Sequence, residues 1–205
     1  MKIDELKPFR NKVFRLEELE NFFEQSGSTI KVQLSRLCKN KKLIRLKKNC
    51  YTFTDFYPNP YIIAQQMVQP SYHSLEMVLS QSGIIPEGTT AYTLITSQKT
   101  QSYQNEFGIF GYRHLSPHLF FGVEQRKDGA WMAVPEKALL DYLYLNSVKF
   151  KLDFACFQAE RFDELQTLDW AKMKIWAKKY KMKKLERLVE SLKGYAESDE
   201  YQEHL

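Results

Sequence analysis

Little in this sequence points to covalent or metal chemistry. Its three cysteines, Cys38, Cys50 and Cys156, form neither an even framework nor a close pair, which removes a disulfide scaffold and a zinc knuckle. Reduced, partly buried thiols are the expectation. No apolar run approaches the roughly 20 residues that cross a bilayer, and Met1-Lys2-Ile3-Asp4-Glu5 lacks the apolar centre of a secretory signal. A cytoplasmic protein without a membrane partner is expected. The phosphate-cradling Gly-x-x-x-x-Gly-Lys loop, the dinucleotide Gly-x-Gly-x-x-Gly and the Gly-x-Ser-x-Gly elbow are all missing. The chain is therefore read as no enzyme, with no cofactor and no catalytic residue.

The ionisable residues that remain have plainer readings. His114 and His118 are four apart, but Pro117 lies between them in a strand-like context, so the helical spacing of a metal pair fails and no metal is expected. His73 near Glu76 reads as a helix-start contact rather than an acid/base pair. Glu136 suits a helix N-terminus, and Lys137 and Asp141 suit a surface ion pair four residues apart, rather than a nuclease cluster.

What is present is a folded chain with an uneven charge. Hydrophobic residues make up 43% and aromatics 14% of 205 residues, enough for one large or two small domains with their own cores. Residues 1–54 hold thirteen Lys/Arg against six Asp/Glu, a net +7, whereas the whole chain is only +5. The other 151 residues are thus net −2. Phosphate neutralisation by one domain calls for such a concentration.

Within that basic quarter Leu16, Leu19, Phe22 and Phe23 recur at helical spacing. Gln25-Ser26-Gly27-Ser28 then breaks the helix, Gly27 being expected at positive φ and Ser28 as the next cap. In the second helix Ile30, Leu34 and Leu37 form an apolar stripe, leaving Thr29, Lys31, Gln33, Ser35, Arg36 and Lys39 outward, the pattern that major-groove reading needs. Two strand-like runs, Leu43-Ile44-Arg45-Leu46 and Cys50-Tyr51-Thr52-Phe53, pinch at Lys47-Lys48-Asn49 into a basic wing. The expected unit is a winged helix-turn-helix over residues 1–56. Its DNA-binding residues are Ser28, Thr29, Lys31, Gln33, Arg36, Lys39, Arg45, Lys47 and Lys48. Thr29, Lys31, Gln33 and Arg36 are the candidate base readers, and Lys39, Arg45, Lys47 and Lys48 the candidate phosphate contacts. The alternative is a non-catalytic interaction module whose basic face binds an acidic protein or RNA.

Tyr57-Pro58-Asn59-Pro60 reads as a linker to a second domain, residues 61–205. Helices are expected over 61–68 and 72–79, then strands over 91–96, 109–115, 118–124 and 130–134 in a small, mainly antiparallel sheet. Pro86-Glu87-Gly88 is a turn. A buried helix begins at Pro135, and this core runs to about residue 150. Helices over 153–165, 169–181 and 183–196 form the C-terminal part, and the acidic tail 198–205 is expected to fray. The fold class is α+β. Lys172, Lys174, Lys178, Lys179, Lys181, Lys183 and Lys184 form either a second nucleic-acid surface or the solvated side of amphipathic helices.

A further signal comes from ordered runs. Phe14-Arg15-Leu16, Leu34-Ser35-Arg36-Leu37 and Leu43-Ile44-Arg45-Leu46 with Tyr51 are followed by Tyr72-His73-Ser74-Leu75-Glu76-Met77-Val78-Leu79-Ser80 and Gly83-Ile84-Ile85-Pro86-Glu87. Phe107-Gly108-Ile109-Phe110 and Ala133-Val134-Pro135-Glu136-Lys137-Ala138-Leu139-Leu140-Asp141 complete the set. Over residues 13–145 the chain resembles AbiEi-type antitoxins of type IV, abortive-infection toxin–antitoxin systems. The resemblance implies an N-terminal winged helix that represses its own operon by binding promoter inverted repeats, two copies serving the two half-sites. It also implies a C-terminal antitoxin domain that neutralises a cognate nucleotidyltransferase-like toxin, with or without direct contact. The sequence departs from the family at the wing tip, where Lys47-Lys48-Asn49-Cys50 stands in place of a glycine before the tyrosine. Asn49 tolerates the left-handed conformation such a tip requires.

Overall fold

The computed structural model describes residues 3–86, 88–198 and 201. Its first region opens with a 3-10 turn, Ile3–Phe9, that sends Leu6 and Phe9 inward. The order β1 (Phe14–Arg15), α1 (Leu16–Phe23), α2 (Gly27–Lys39), β2 (Leu43–Lys47) and β3 (Cys50–Phe53) follows. These strands make an antiparallel sheet in the order β1-β3-β2. Leu16 and Leu19 from α1, Ile30 and Leu34 from α2, and Phe14, Leu43, Tyr51 and Phe53 from the sheet close one core.

The turn between α1 and α2 differs from expectation. Glu24, not Gly27, is left-handed, at φ 50, and Ser26 rather than Ser28 stands at the N-cap position of α2, with no capping hydrogen bond from its side chain. Gly27 is the first residue of α2, and a Cβ there would lie 1.8 Å from Glu20 Oε1 and 3.4 Å from Leu16 Cδ2. The space beside this glycine is taken by the movable end of the Glu20 side chain rather than by backbone of α1. At the hairpin tip Asn49 does take the left-handed conformation, at φ 62. The ladder slips there, since Arg45 pairs with Tyr51 but Lys47 with Cys50, leaving Leu46 in a bulge.

Pro60 is the first residue of α3 (Pro60–Met67), and the Asn59 side chain accepts a hydrogen bond from Tyr61 N at 2.9 Å. The proline-rich stretch therefore ends as a helix cap. Next come β4 (Ser71–His73), α4 (Glu76–Gln81), β5 (Ala91–Thr96), β6 (Gln101–Asn105), β7 (Gly108–His114), β8 (Val123–Gln125) and β9 (Trp131–Ala133). The sheet order is β6-β7-β5-β4-β9-β8. Its β5–β7 and β4–β9 pairs are parallel and the other three antiparallel, so the sheet is mixed rather than mainly antiparallel. Residues 72–79 are not one helix, because 71–73 are needed as a strand between β5 and β9 and Leu75 turns the chain at φ 63. Over 118–124, Pro117–Leu119 forms a 3-10 turn and only Val123–Gln125 is strand. Strand β6 was not expected, since Gln-Ser-Tyr-Gln-Asn carries no hydrophobic alternation.

Helix α5 (Pro135–Leu145) crosses behind this sheet, followed by α6 (Phe154–Ala159), α7 (Trp170–Lys179) and α8 (Lys183–Ala196). Asp153 and Asp169 cap α6 and α7 by accepting from Cys156 N and Lys172 N, each at 2.9 Å. The helix expected over 153–165 stops early, with Arg161 and Glu164 left-handed at φ 54 and 51. Leu139, Leu140 and Leu143 of α5 pack with Met173 and Ala177 of α7 and Leu185, Leu188 and Leu192 of α8. In the tail, the Tyr201 hydroxyl accepts from Leu165 N at 3.0 Å and its ring meets Tyr195, so this residue is anchored rather than frayed. The rest of the tail (199, 200 and 202–205) and Glu87 of the expected turn lie outside the described residues.

The two regions share apolar packing. Val13, Ile44, Leu46 and Cys50 cluster with Ile63, Ala64, Met67, Val68, Leu94, Phe110 and Tyr112. Arg15 Nη2 also donates to the Gln66 carbonyl at 2.8 Å. Among the described residues no helix is long and apolar enough to cross a membrane.

Candidate nucleic-acid interface

Helix α2 is held by Ile30 and Leu34, both fully buried, and this fixes which side faces water. Ser28, Thr29, Lys31, Val32, Ser35, Arg36 and Lys39 are exposed. Positions 28, 32, 35 and 39 fall on one stripe at helical spacing, flanked by 31 and 36. Ser26 Oγ lies 3.1 Å from both Ser28 Oγ and Thr29 Oγ1, a hydroxyl cluster at the helix start. The first turn of α2 carries no acid of its own, and the Glu20 carboxylate of α1 lies against its first residue, Gly27, at the positive end of the helix dipole. Gln33 is half-buried, and its Oε1 is shielded from water without a hydrogen-bond partner. Val32 lies on the same outward stripe, 53% exposed, an apolar residue that a pattern of polar groups does not single out. Its signal was position, and its methyls suit contact with a thymine methyl.

Residues 27–54 contain eight Lys/Arg and no Asp or Glu. The six acids of residues 1–54 sit elsewhere, Asp4 and Glu5 in the opening 3-10 turn, Glu17, Glu18 and Glu20 on α1 and Glu24 just after it. The charge is thus sorted by element, with α2 and the hairpin positive and α1 negative. On the hairpin Arg45 and Lys48 are exposed, and Arg45 Nε donates to the Lys47 carbonyl at 3.4 Å. Lys47 differs. It is half-buried, its ammonium lies 5.2 Å from the Tyr103 ring centre, and burial lowers its pKa. Lys39, Arg45 and Lys48 face water, whereas Lys47 turns toward β6.

The other ionisable groups occupy different places from those expected. Lys137 and Asp141 are not on the surface but both 0% exposed, because α5 is covered by the sheet on one side and by α7 and α8 on the other. Asp141 Oδ1 accepts from Lys137 and from the Tyr180 hydroxyl at 2.6 Å, while Oδ2 accepts from Tyr72 at 3.0 Å and Ser74 at 2.9 Å. Lys137 Nζ also donates to Tyr180 at 2.8 Å and lies 4.8 Å from the Phe121 ring. Burial lowers the Lys137 pKa and, with the Asp141 charge, raises those of Tyr72 and Tyr180. A closed, hydrogen-bonded pair of this kind holds α5, β4 and α7 together and presents no face to a substrate.

His73 lies in β4, not at a helix start beside Glu76. Its ring is fully buried, Nε2 is 3.0 Å from the Tyr61 carbonyl, and burial pushes its pKa down to about 4. His114 Nδ1 lies 2.9 Å from the Gln98 carbonyl, and His118 falls in the 3-10 turn. No group of three or more His, Cys, Asp or Glu is placed to hold a metal ion among the described residues. In the basic stretch Lys172 pairs with Glu136 at 3.4 Å, Lys174 pairs with Glu190 at 2.8 Å, Lys179 covers Phe121, and Lys184 donates to the Ser147 carbonyl. Lys178, Lys181 and Lys183 face water. Four of its seven lysines thus make contacts within the chain.

No protein-family model matches the chain, and no curated protein matches it in sequence.

Proposed function

We propose that residues 1–56 form a winged helix-turn-helix that binds DNA, and that the chain is an antitoxin and autorepressor of the AbiEi type. The acid-free span 27–54 carries this reading, because its exposed side is one helix face plus one hairpin tip. Helix α2 would lie in the major groove, where Arg36 and Lys31 suit guanine edges, Thr29 suits either base and Val32 suits thymine, while Gln33, with its Oε1 shielded, drops out of the readers. Lys39, Arg45 and Lys48, with the hydroxyl of Ser28 at the helix start, would meet phosphates. Inverted repeats in the chain's own promoter would bind two copies.

The antitoxin half rests on the ordered runs. Two of them, Tyr72 to Glu76 and Pro135 to Asp141, meet where Tyr72 and Ser74 donate to Asp141. Their spacing is then a packing requirement of residues 61–205, which supports a shared fold for the domain that would neutralise a nucleotidyltransferase-like toxin. A second reading, an interaction module for an acidic protein, is favoured by the outward Phe22 and Val32, each 53% exposed.

The deciding experiment is a salt titration of the protein on the DNA upstream of its own gene, against a scrambled duplex of equal length. Selective binding with a steep salt slope is expected. Unselective or absent binding would overturn the repressor assignment and turn the basic face toward a protein or RNA.

A further inference from the structure

We infer that Tyr103 and Asn105 of β6 are positioning residues for the β2–β3 hairpin, so that the wing is mounted on the mixed sheet rather than carried by the first region alone. The inference rests on the DNA-binding reading for its functional consequence, though not for its geometry.

Strand β2 is an outer strand of its sheet and β6 an outer strand of the other, and the two strands contact each other. The bulge at Leu46 takes that residue out of register with β3. Its carbonyl accepts instead from Asn105 Nδ2 at 3.1 Å, so a side chain 59 positions away bonds to the irregular point of the hairpin. Asn105 is itself fixed, since its Oδ1 accepts from Phe107 N at 2.9 Å in the β6–β7 turn. One residue further along the hairpin, the Lys47 ammonium rests over Tyr103. Tyr103 in turn donates to Gln101 at 2.7 Å and packs its ring against Tyr112.

Strand β3 is tied to β1, and the Asn49 carbonyl accepts from Leu16 N at 3.0 Å, whereas β2 is the edge of its own sheet; a phosphate contact from Lys48 needs the tip held on that side as well, to a fraction of an ångström. The β6–β7 hairpin supplies that hold. Lys47 is accordingly a mounting cation, and Arg45 and Lys48 are the ones left to the phosphates.

The test compares Asn105→Ala, Tyr103→Leu, Tyr103→Phe and Lys47→Ala in the full chain. Amide hydrogen exchange is read in the free proteins at Leu16, whose N–H donates to the Asn49 carbonyl at the tip, with the α2 amides as internal reference. DNA affinity and its salt slope are read in parallel. Asn105→Ala, Tyr103→Leu and Lys47→Ala should each speed exchange at the tip by about tenfold while α2 is unchanged. The first two should weaken DNA binding by about threefold to tenfold and flatten the salt slope by about one phosphate contact. Tyr103→Phe keeps the ring and should behave as the parent. If tip exchange is unaltered in all three, the mount is refuted. If Lys47→Ala flattens the salt slope without touching exchange, Lys47 is a phosphate contact and the inference fails for that residue. A variant that loosens α2 as well has unfolded, and Lys47→Ala, at the half-exposed tip, then decides. Failure of the parent protein to bind DNA would overturn the DNA-binding reading while leaving exchange to decide the mount.

Discussion

Lys137 and Asp141 stand one turn apart on α5 and neutralise each other in a place that water does not reach, both side chains being 0% exposed. A buried pair is costly to break singly, because the remaining charge has no partner. Asp141→Ala should lower unfolding stability by about 3–5 kcal/mol. Adding Lys137→Met should recover part of that loss, because the stranded ammonium is gone. Urea unfolding of both variants checks this, and a double variant no better than the single would refute it.

Two glycines should answer the same substitution differently. Gly122 has φ 63, and an added Cβ would lie 2.8 Å from Trp176 and 3.1 Å from Lys137 Cβ, so Gly122→Ala should cost more than about 1 kcal/mol. At Gly27 the clash is with the carboxylate end of Glu20, which can swing aside, and the backbone is helical. Gly27→Ala should stay within about 0.5 kcal/mol, its better helix propensity offsetting the displacement. Thermal melts of the two variants measure the contrast.

His73 makes stability depend on pH in a window of its own. Its folded pKa is about 4 against an ordinary histidine value of 6.5, so above 6.5 the ring is neutral in both states and no penalty exists. As pH falls from 6.5 toward 4 the unfolded chain takes up the proton first, and stability drops by up to about 3 kcal/mol. Unfolding at pH 7 and pH 5 should show the loss, and His73→Gln should flatten the curve between those values. A parallel loss in the variant would assign the effect elsewhere.

Arg36 and Lys48 should separate base reading from phosphate binding. Arg36→Ala is expected to weaken operator binding by about 1–3 kcal/mol while leaving random duplex nearly unchanged. Lys48→Ala should weaken both alike and flatten the salt slope by about one contact. Equal losses on both duplexes for Arg36→Ala would remove it from the base readers.

Legibility from sequence followed the local physics. Ile30 and Leu34 fixed the face of α2 because one helix and one core decide it, and Asn49 could be read as left-handed from its side chain alone. Lys137 and Asp141 could not be read as buried, since the same four-residue spacing serves exposed and enclosed pairs, and only the covering by β4 and α7 distinguishes them. Lys47 was read with Lys48 because strand alternation does not reveal a bulge at Leu46. Strand β4 hid in a helical-looking run, and β6 hid because an edge strand with one inward tyrosine has no apolar period to detect. Lys31 and Arg36 were legible as outward from the buried Ile30 and Leu34, whereas the half-burial of Gln33 was not, and Val32 is apolar on an exposed stripe.

The position of β7 constrains the order in which the sheet can assemble. Strands β5 and β6 are separated by only residues 97–100 in sequence, yet β7, which follows both, lies between them. A chain emerging from the ribosome offers those two strands with a vacancy one strand wide, and pairing them directly would be a dead end. The productive route closes β6 and β7 as a local hairpin, with Asn105 opposite Gly108, and then docks it so that β7 lies parallel to β5. A slip in the Asn105–Gly108 turn would be copied into the parallel register of Ala91 through Thr96, so one short turn sets how β5 and β7 align.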